Sequence, residues 1–129
     1  MPGETDLQAM LDSLDVDQRP GTFVFVTDAD PDLRPDAVAM IEESEGTTLV
    51  LPVEVARRAG LEVGFEAAWL TLTVFSALEA VGLTAAVSRT LADAGIPCNM
   101  LAGFHHDHVL VPAARVDDAA ACLRGLSSR

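Results

Sequence analysis

The chain has 129 residues, a formal net charge of −12, 50% apolar residues and 5% aromatic residues, enough for one compact unit or two very small ones around a buried core. No apolar run reaches the roughly 18 residues a membrane span needs, and Met1 to Leu14 carries Glu4, Asp6 and Asp12 where a secretory signal carries Lys or Arg, so a cytoplasmic location is expected. Fifteen acidic residues face four Arg in 1–66, five face four in 67–129, and Lys is absent; with no basic stripe for phosphates, nucleic-acid binding is disfavoured.

Thr5-Asp-Leu-Gln8 has capping-box spacing, and Leu7, Met10, Leu11 and Leu14 follow at helical intervals, so a short amphipathic helix opens the chain. Pro20-Gly21 closes that region. Thr22 to Thr27 reads as a strand, and Asp28 to Asp36, with two prolines, as an exposed loop. Ala37 to Glu43 and Thr47 to Leu51 follow as strands about the Glu45-Gly46 turn, and Pro52 opens a short helix that Gly60 stops.

From Ala68 to Phe75 the residues alternate, with Leu70, Leu72 and Val74 on one face and Trp69, Thr71 and Thr73 on the other. Leu83, Val87, Leu91 and Ala94 recur at helical spacing as far as Gly95, with Ile96 placed to fold back on the last turn and Pro97 barring continuation. Cys98 to Phe104 and His108 to Val111 read as strands joined tightly at His105 to Asp107, and Val116 to Leu126 marks a last amphipathic helix. Strand, helix, strand, strand, helix is the skeleton of a ferredoxin-like α+β unit with an antiparallel sheet and both helices on one face. The first half reads as a reduced version, which gives units at 1–65 and 66–129 and about eight strands in all. Leu72, Val74, Leu83, Val87, Leu91, Ile96 and Leu123 are the expected core.

Ser76 to Asn99, through Gly82-Leu83 and Ala94-Gly95-Ile96, resembles the strand-to-helix segment of ACT domains. With Trp69 to Val74 before it and His106 to Pro112 after it, the chain resembles small bacterial tandem-ACT proteins related to the ACT domains of the eukaryotic cytosolic arginine sensor. Gly21 to Phe25 and Glu45-Gly-Thr47 extend the likeness into the first half. The resemblance implies two ACT-like βαββαβ-type halves and a non-enzymatic regulatory protein, binding an amino acid or similar metabolite in a crevice between halves or subunits. It also implies a homodimer, with a separate metabolic enzyme as a further partner; no cofactor is expected. A ligand-free dimerisation or interaction module, and a regulatory subunit of a separate metabolic enzyme, are the rival readings.

The expected site is the loop and helix start formed by Ser76, Leu78, Glu79, Ala80, Val81, Gly82 and Leu83, joined by Asn99 and Asp107. The first amides of a helix have no partner within it and lie at its positive end, which suits a carboxylate; Glu79 would receive an ammonium group. Ser76-Ala-Leu-Glu79 is itself a capping box, and on that reading the helix starts at Ser76 and holds Gly82 inside it at about 1 kcal/mol. The resemblance starts the helix near Gly82, the start adopted here. Asn99 shares a strand face with Leu101, and Asp107 stands in a turn where related proteins carry Asp.

His105, His106 and His108 lack a second ligand cluster, so no metal site is expected. Cys98 and Cys122 sit in apolar patterns and read as reduced core residues. No Gly-rich phosphate loop or nucleophile-base pair stands out, so catalysis is not expected.

Overall fold

Ala68, Leu70 and Leu72 all point to one side of their strand, and the sheet is built around that strand. The computed structural model describes residues 2–27, 30–74 and 82–127, with residues 2–6 by backbone alone. In chain order these form α1 (Pro2–Asp12), β1 (Asp15–Thr27), a 3₁₀ turn (Pro31–Asp36), β2 (Ala39–Glu43), β3 (Gly46–Pro52), α2 (Val53–Arg58), β4 (Ala67–Thr73), α3 (Leu83–Asp93), β5 (Asn99–Ala102), β6 (Asp107–Pro112) and α4 (Val116–Arg124). The strands make a single sheet in the order β2-β3-β1-β4-β6-β5, and every neighbouring pair is antiparallel.

β1 departs from the sequence reading. Pro20-Gly21 does not end a region there, because the strand runs straight through it. Its first part, Asp15 to Arg19, pairs with β4, and its second part, Phe23 to Thr27, pairs with β3. Between them the register slips, so that Arg19 faces Trp69 and Phe23 faces Ala67, with two more residues on β1 than on β4. Pro20 has no N–H to contribute to a ladder, and Gly21 takes φ +103°, so the pair fits a bulge that bends the strand from one neighbour to the other.

This shared strand also explains why six strands, among the described residues, stand where about eight were expected from two four-stranded units. The start of β1 lies beside β4 and takes the fourth-strand place of the second unit, while Ala67 of β4 reaches Phe23 and begins the same place in the first. Helices α1, α3 and α4 cover one face. Met10, Leu11 and Leu14 from the first helix bury with Val16, Leu70, Leu72, Leu83, Val87, Leu91, Ile96, Val109, Val111 and Leu123, and Arg124 Nη2 donates to the Val16 carbonyl at 2.9 Å. Thus the start of the chain packs into the core of the second half. A smaller core of Val24, Leu49, Leu51, Val53, Val55 and Ala56 lies under α2.

Of the expected core residues, Val74 is only partly buried and the others are buried. Cys98 and Cys122 are half-buried free thiols at the margin of the larger core rather than within it, and burial pushes the Cys98 thiol above its ordinary pKa. The end of α3 follows its sequence signal: Gly95 takes φ +71°, its N–H donates to the Ala92 carbonyl at 2.9 Å, and Ile96 N–H donates to the Leu91 carbonyl at 2.9 Å. That reversal buries Ile96 against Leu91. Leu91→Ala is expected to lower stability by about 2–5 kcal/mol in urea denaturation; a loss well under about 1 kcal/mol would mean that the site collapses around the deletion.

Candidate functional site

The helix after β4 begins where the family pattern places it. α3 starts at Leu83 with Gly82 as its N-cap at φ +102°, so Gly82 precedes the helix and carries no interior-glycine cost. Having no side chain, Gly82 cannot cap the first amides of α3, while its carbonyl accepts from Ala86 N–H at 2.9 Å. Ser76, Leu78, Glu79, Ala80 and Val81 lie outside the described residues.

What Gly82 faces is another part of the chain. A Cβ placed on it would stand 3.2 Å and 3.3 Å from the two δ carbons of Leu7. The absence of a side chain therefore serves both a left-handed backbone and the close seating of α1. Leu83, the next residue, is buried in the core and offers a ligand its backbone N–H rather than its side chain.

Asn99 and Asp107 occupy opposite faces of the β5–β6 hairpin. Asn99 is exposed and pairs with Leu110, and Leu101 pairs with His108, so all four lie on the face away from the helices. Asp107 pairs with Leu72 and Ala102 on the helix-covered side, the side that also holds α3. The described part of the expected site is thus divided: Gly82, Leu83 and Asp107 belong to one side of the sheet and Asn99 to the other.

The helix-free face carries a group of side chains that sequence reading left as a strand face and a turn. Trp69 is buried there with Phe23, Val50, Ala67 and Leu110, its ring meeting Phe23 edge-on at 5.8 Å between centroids and Arg19 lying 5.6 Å above it. Trp69 Nε1 donates to Thr71 Oγ1 at 3.2 Å and to His108 Nδ1 at 3.2 Å, and Thr71 Oγ1 lies 3.1 Å from the same nitrogen. An indole N–H only donates, so Nδ1 accepts, and this network assigns the His108 proton to Nε2. The ring sits against Gly103, where a Cβ would come within 3.1 Å of Nε2 and within 2.8 Å of the His106 carbonyl oxygen.

Burial is the main cause that holds the His108 pKa below its ordinary value; His106 and Arg19 push the same way and Asp107 opposes them. His106 is exposed and reaches Thr73 Oγ1 at 3.4 Å. The available sequence signal was phase: on β6 His108 alternates in step with Leu110, which pairs with Trp69 of β4. Among the described residues no cluster of three or more His, Cys, Asp or Glu is arranged to hold a metal ion.

Comparison with known proteins places this geometry. ACT-domain family models match residues 2–68 and 65–125. A crystal structure of a Vibrio cholerae protein of unknown function, described as a possible transport protein, is 39% identical, with a TM-score of 0.87 over 98% of this chain and 99% of that one. The aspartokinase alpha and beta subunits share the fold at 16% identity and a TM-score of 0.58, over 88% of this chain and 96% of that one. A Porphyromonas gingivalis domain, provisionally described as a C-terminal regulatory domain of aspartate kinase, does so at 12% identity and 0.56, over 90% and 98%. No curated protein matches the sequence.

Because Gly82 combines a left-handed backbone with contact against Leu7, Gly82→Val is expected to destabilise the protein by about 1–3 kcal/mol. Adding Leu7→Ala should relieve the side-chain contact and leave the backbone strain, so the pair is expected to be less than additive in chemical denaturation. Parent-like stability of Gly82→Val would show that α3 can start without a left-handed residue.

Proposed function

The chain belongs to the ACT-domain family, and on that premise we propose that it is a non-enzymatic regulatory protein that binds an amino acid or similar small metabolite at a crevice between its two halves or between subunits. The observation that carries this reading is the start of α3, an 11-residue helix whose N-cap is a glycine without a capping side chain. A ligand carboxylate there gains hydrogen-bond donors and the positive end of the helix together. In this reading Ser76 to Leu83 hold the carboxylate, Glu79 receives the ammonium group, and Asn99 and Asp107 add polar contacts. Since Asn99 and Asp107 lie on opposite faces, one crevice takes both only if it is completed by a second subunit, which is the reason for including a homodimer in the proposal.

The units are drawn at 1–65 and 66–129 and share strands β1 and β4. A separate metabolic enzyme as the regulated partner, a cytoplasmic location and kinship with the ACT domains of the eukaryotic cytosolic arginine sensor complete the reading. Among the described residues no helix is long and apolar enough to cross a membrane. The exposed Phe25 and Ile41 on the helix-free face favour the second reading, a ligand-free dimerisation module.

A thermal-shift screen against the twenty amino acids separates the two readings. A ligand present at about 100 times its Kd adds roughly 2.7 kcal/mol to the folded state and raises Tm. Calorimetric titration of that ligand should then show weaker binding by Glu79→Gln, with folding checked by circular dichroism. A dimer whose Tm responds to no amino acid would support the dimerisation module and reject the ligand site.

A further inference from the structure

We propose that His108 is a proton-operated latch, fastening the β5–β6 hairpin to the helix-free face through Trp69 while its imidazole is neutral and releasing it when the imidazole is protonated. The latch does not depend on any ligand.

On that face Leu110 of β6 is buried with Trp69 and Leu101 of β5 packs against the same cluster, and His108 adds the hairpin's side-chain hydrogen bond to the indole. Among the described residues β5 is an edge strand paired with β6 alone, and the connecting turn leaves Phe104 exposed. His108 is the residue of β6 that faces Thr71 on one side and Leu101 on the other, so it ties three strands at once. Its ring is fixed from below by Gly103, where no side chain intrudes, and from the side by Trp69, 5.1 Å away between ring centroids.

The chemistry of the contact is asymmetric. Trp69 N–H can only donate, and Nδ1 of a neutral His108 accepts from it in the tautomer that carries the proton on Nε2. Adding a proton to Nδ1 sets two N–H groups against each other at a separation of 3.2 Å. Thr71 Oγ1, near both, can then accept from each and turn its own proton outward, but the direct Trp69–His108 bond is lost. The same step places a charge on a ring that is partly removed from water.

Charged and titratable neighbours come from every element around the ring. β1 contributes Asp15, Asp17 and Arg19, opposite Thr73, Thr71 and Trp69; the turn contributes His105 and His106; Asp107 precedes the ring on β6. β4 contributes Trp69, Thr71 and Thr73, and β5 contributes Asn99 and Leu101, none of which titrates in this range. Arg19 and His106 oppose a further positive charge, and Asp107 favours it.

The direction of linkage follows. His108 is held below its ordinary pKa in the fold, so the unfolded chain binds its proton at higher pH than the native chain does. The stability due to the neutral ring is complete above the unfolded value of about 6.5 and is lost as pH falls from there through the lower native value.

Trp69 is the only Trp in the chain, so its emission reads the latch directly. Between about pH 8 and about pH 5, the folded protein is expected to show one emission transition with a midpoint below that of free histidine. The transition should vanish in His108→Gln and persist in His106→Gln. Flat emission in the parent, persistence of the transition in folded His108→Gln, or its loss in His106→Gln would each overturn the proposal. If His108→Gln does not fold, proton magnetic resonance of the parent answers the same question. The His108 imidazole, assigned by its proximity to the indole proton, should titrate together with a displacement of the indole N–H signal, and amides of residues 99–102 should exchange faster below that midpoint after correction for intrinsic rates. An indole signal that does not move with any histidine would reject the latch.

Discussion

One strand has to satisfy two ladders. β1 is 13 residues long, and its two ends hydrogen-bond to different neighbours, β4 at the start and β3 at the finish. Backbone donors and acceptors in a sheet interior need partners; Phe23 meets both neighbours, opposite Pro52 of β3 and Ala67 of β4, and between Arg19 and Phe23 the register against β4 changes. The bulge at Pro20-Gly21 provides that change: proline has no donor to leave unpaired, and glycine adopts the positive φ of the bend. Because β1 joins the halves in this way, six strands behave as one sheet, and α1, which leads into β1, packs on the second half rather than the first.

The two faces of the sheet then follow different rules. On the helix side, Leu70, Leu72, Val109 and Val111 are covered by α1, α3 and α4 and need only close packing. On the other side no helix among the described residues covers the strands, yet Trp69, Phe23 and Leu110 are buried. They are covered by long or flat side chains from the same sheet, including Arg19 stacked above Phe23 and Trp69. An indole N–H buried in this way needs an acceptor, and Thr71 and His108 are the groups on that face that supply one. The position of His108 is therefore a consequence of burying Trp69 without a helix.

On the helix side the corresponding constraint is Gly82. Its φ of +102° turns the chain into α3, and its lack of a Cβ lets Leu7 of α1 approach. The same glycine leaves the first amides of α3 without a side-chain cap, the feature on which the ligand reading rests. A residue demanded by packing and a residue suited to a ligand are here the same residue.

The sequence by itself determined the elements whose signals are local. The alternation read over Ala68 to Phe75, the helical spacing of Leu83, Val87 and Leu91 and the Gly95-Ile96 stop each depend on a few adjacent residues and each marks an element that forms, the strand ending at Thr73; the hairpin signalled at Glu45-Gly46 turns one residue earlier, through Ser44-Glu45, with Gly46 paired to Glu43. Family resemblance decided the start of α3 at Gly82, where the capping box at Ser76 pointed elsewhere. Tertiary structure alone decided the rest. Pro20-Gly21 carries the same local signal whether it ends a region or forms a bulge, and only the presence of β3 and β4 on either side selects the bulge. Asn99 and Asp107 lie close in sequence, but the phase and register of the hairpin place them on opposite faces. Trp69 and His108 are 39 residues apart, and the hydrogen bond between them exists only because two strands in antiparallel register bring them to one side of a sheet.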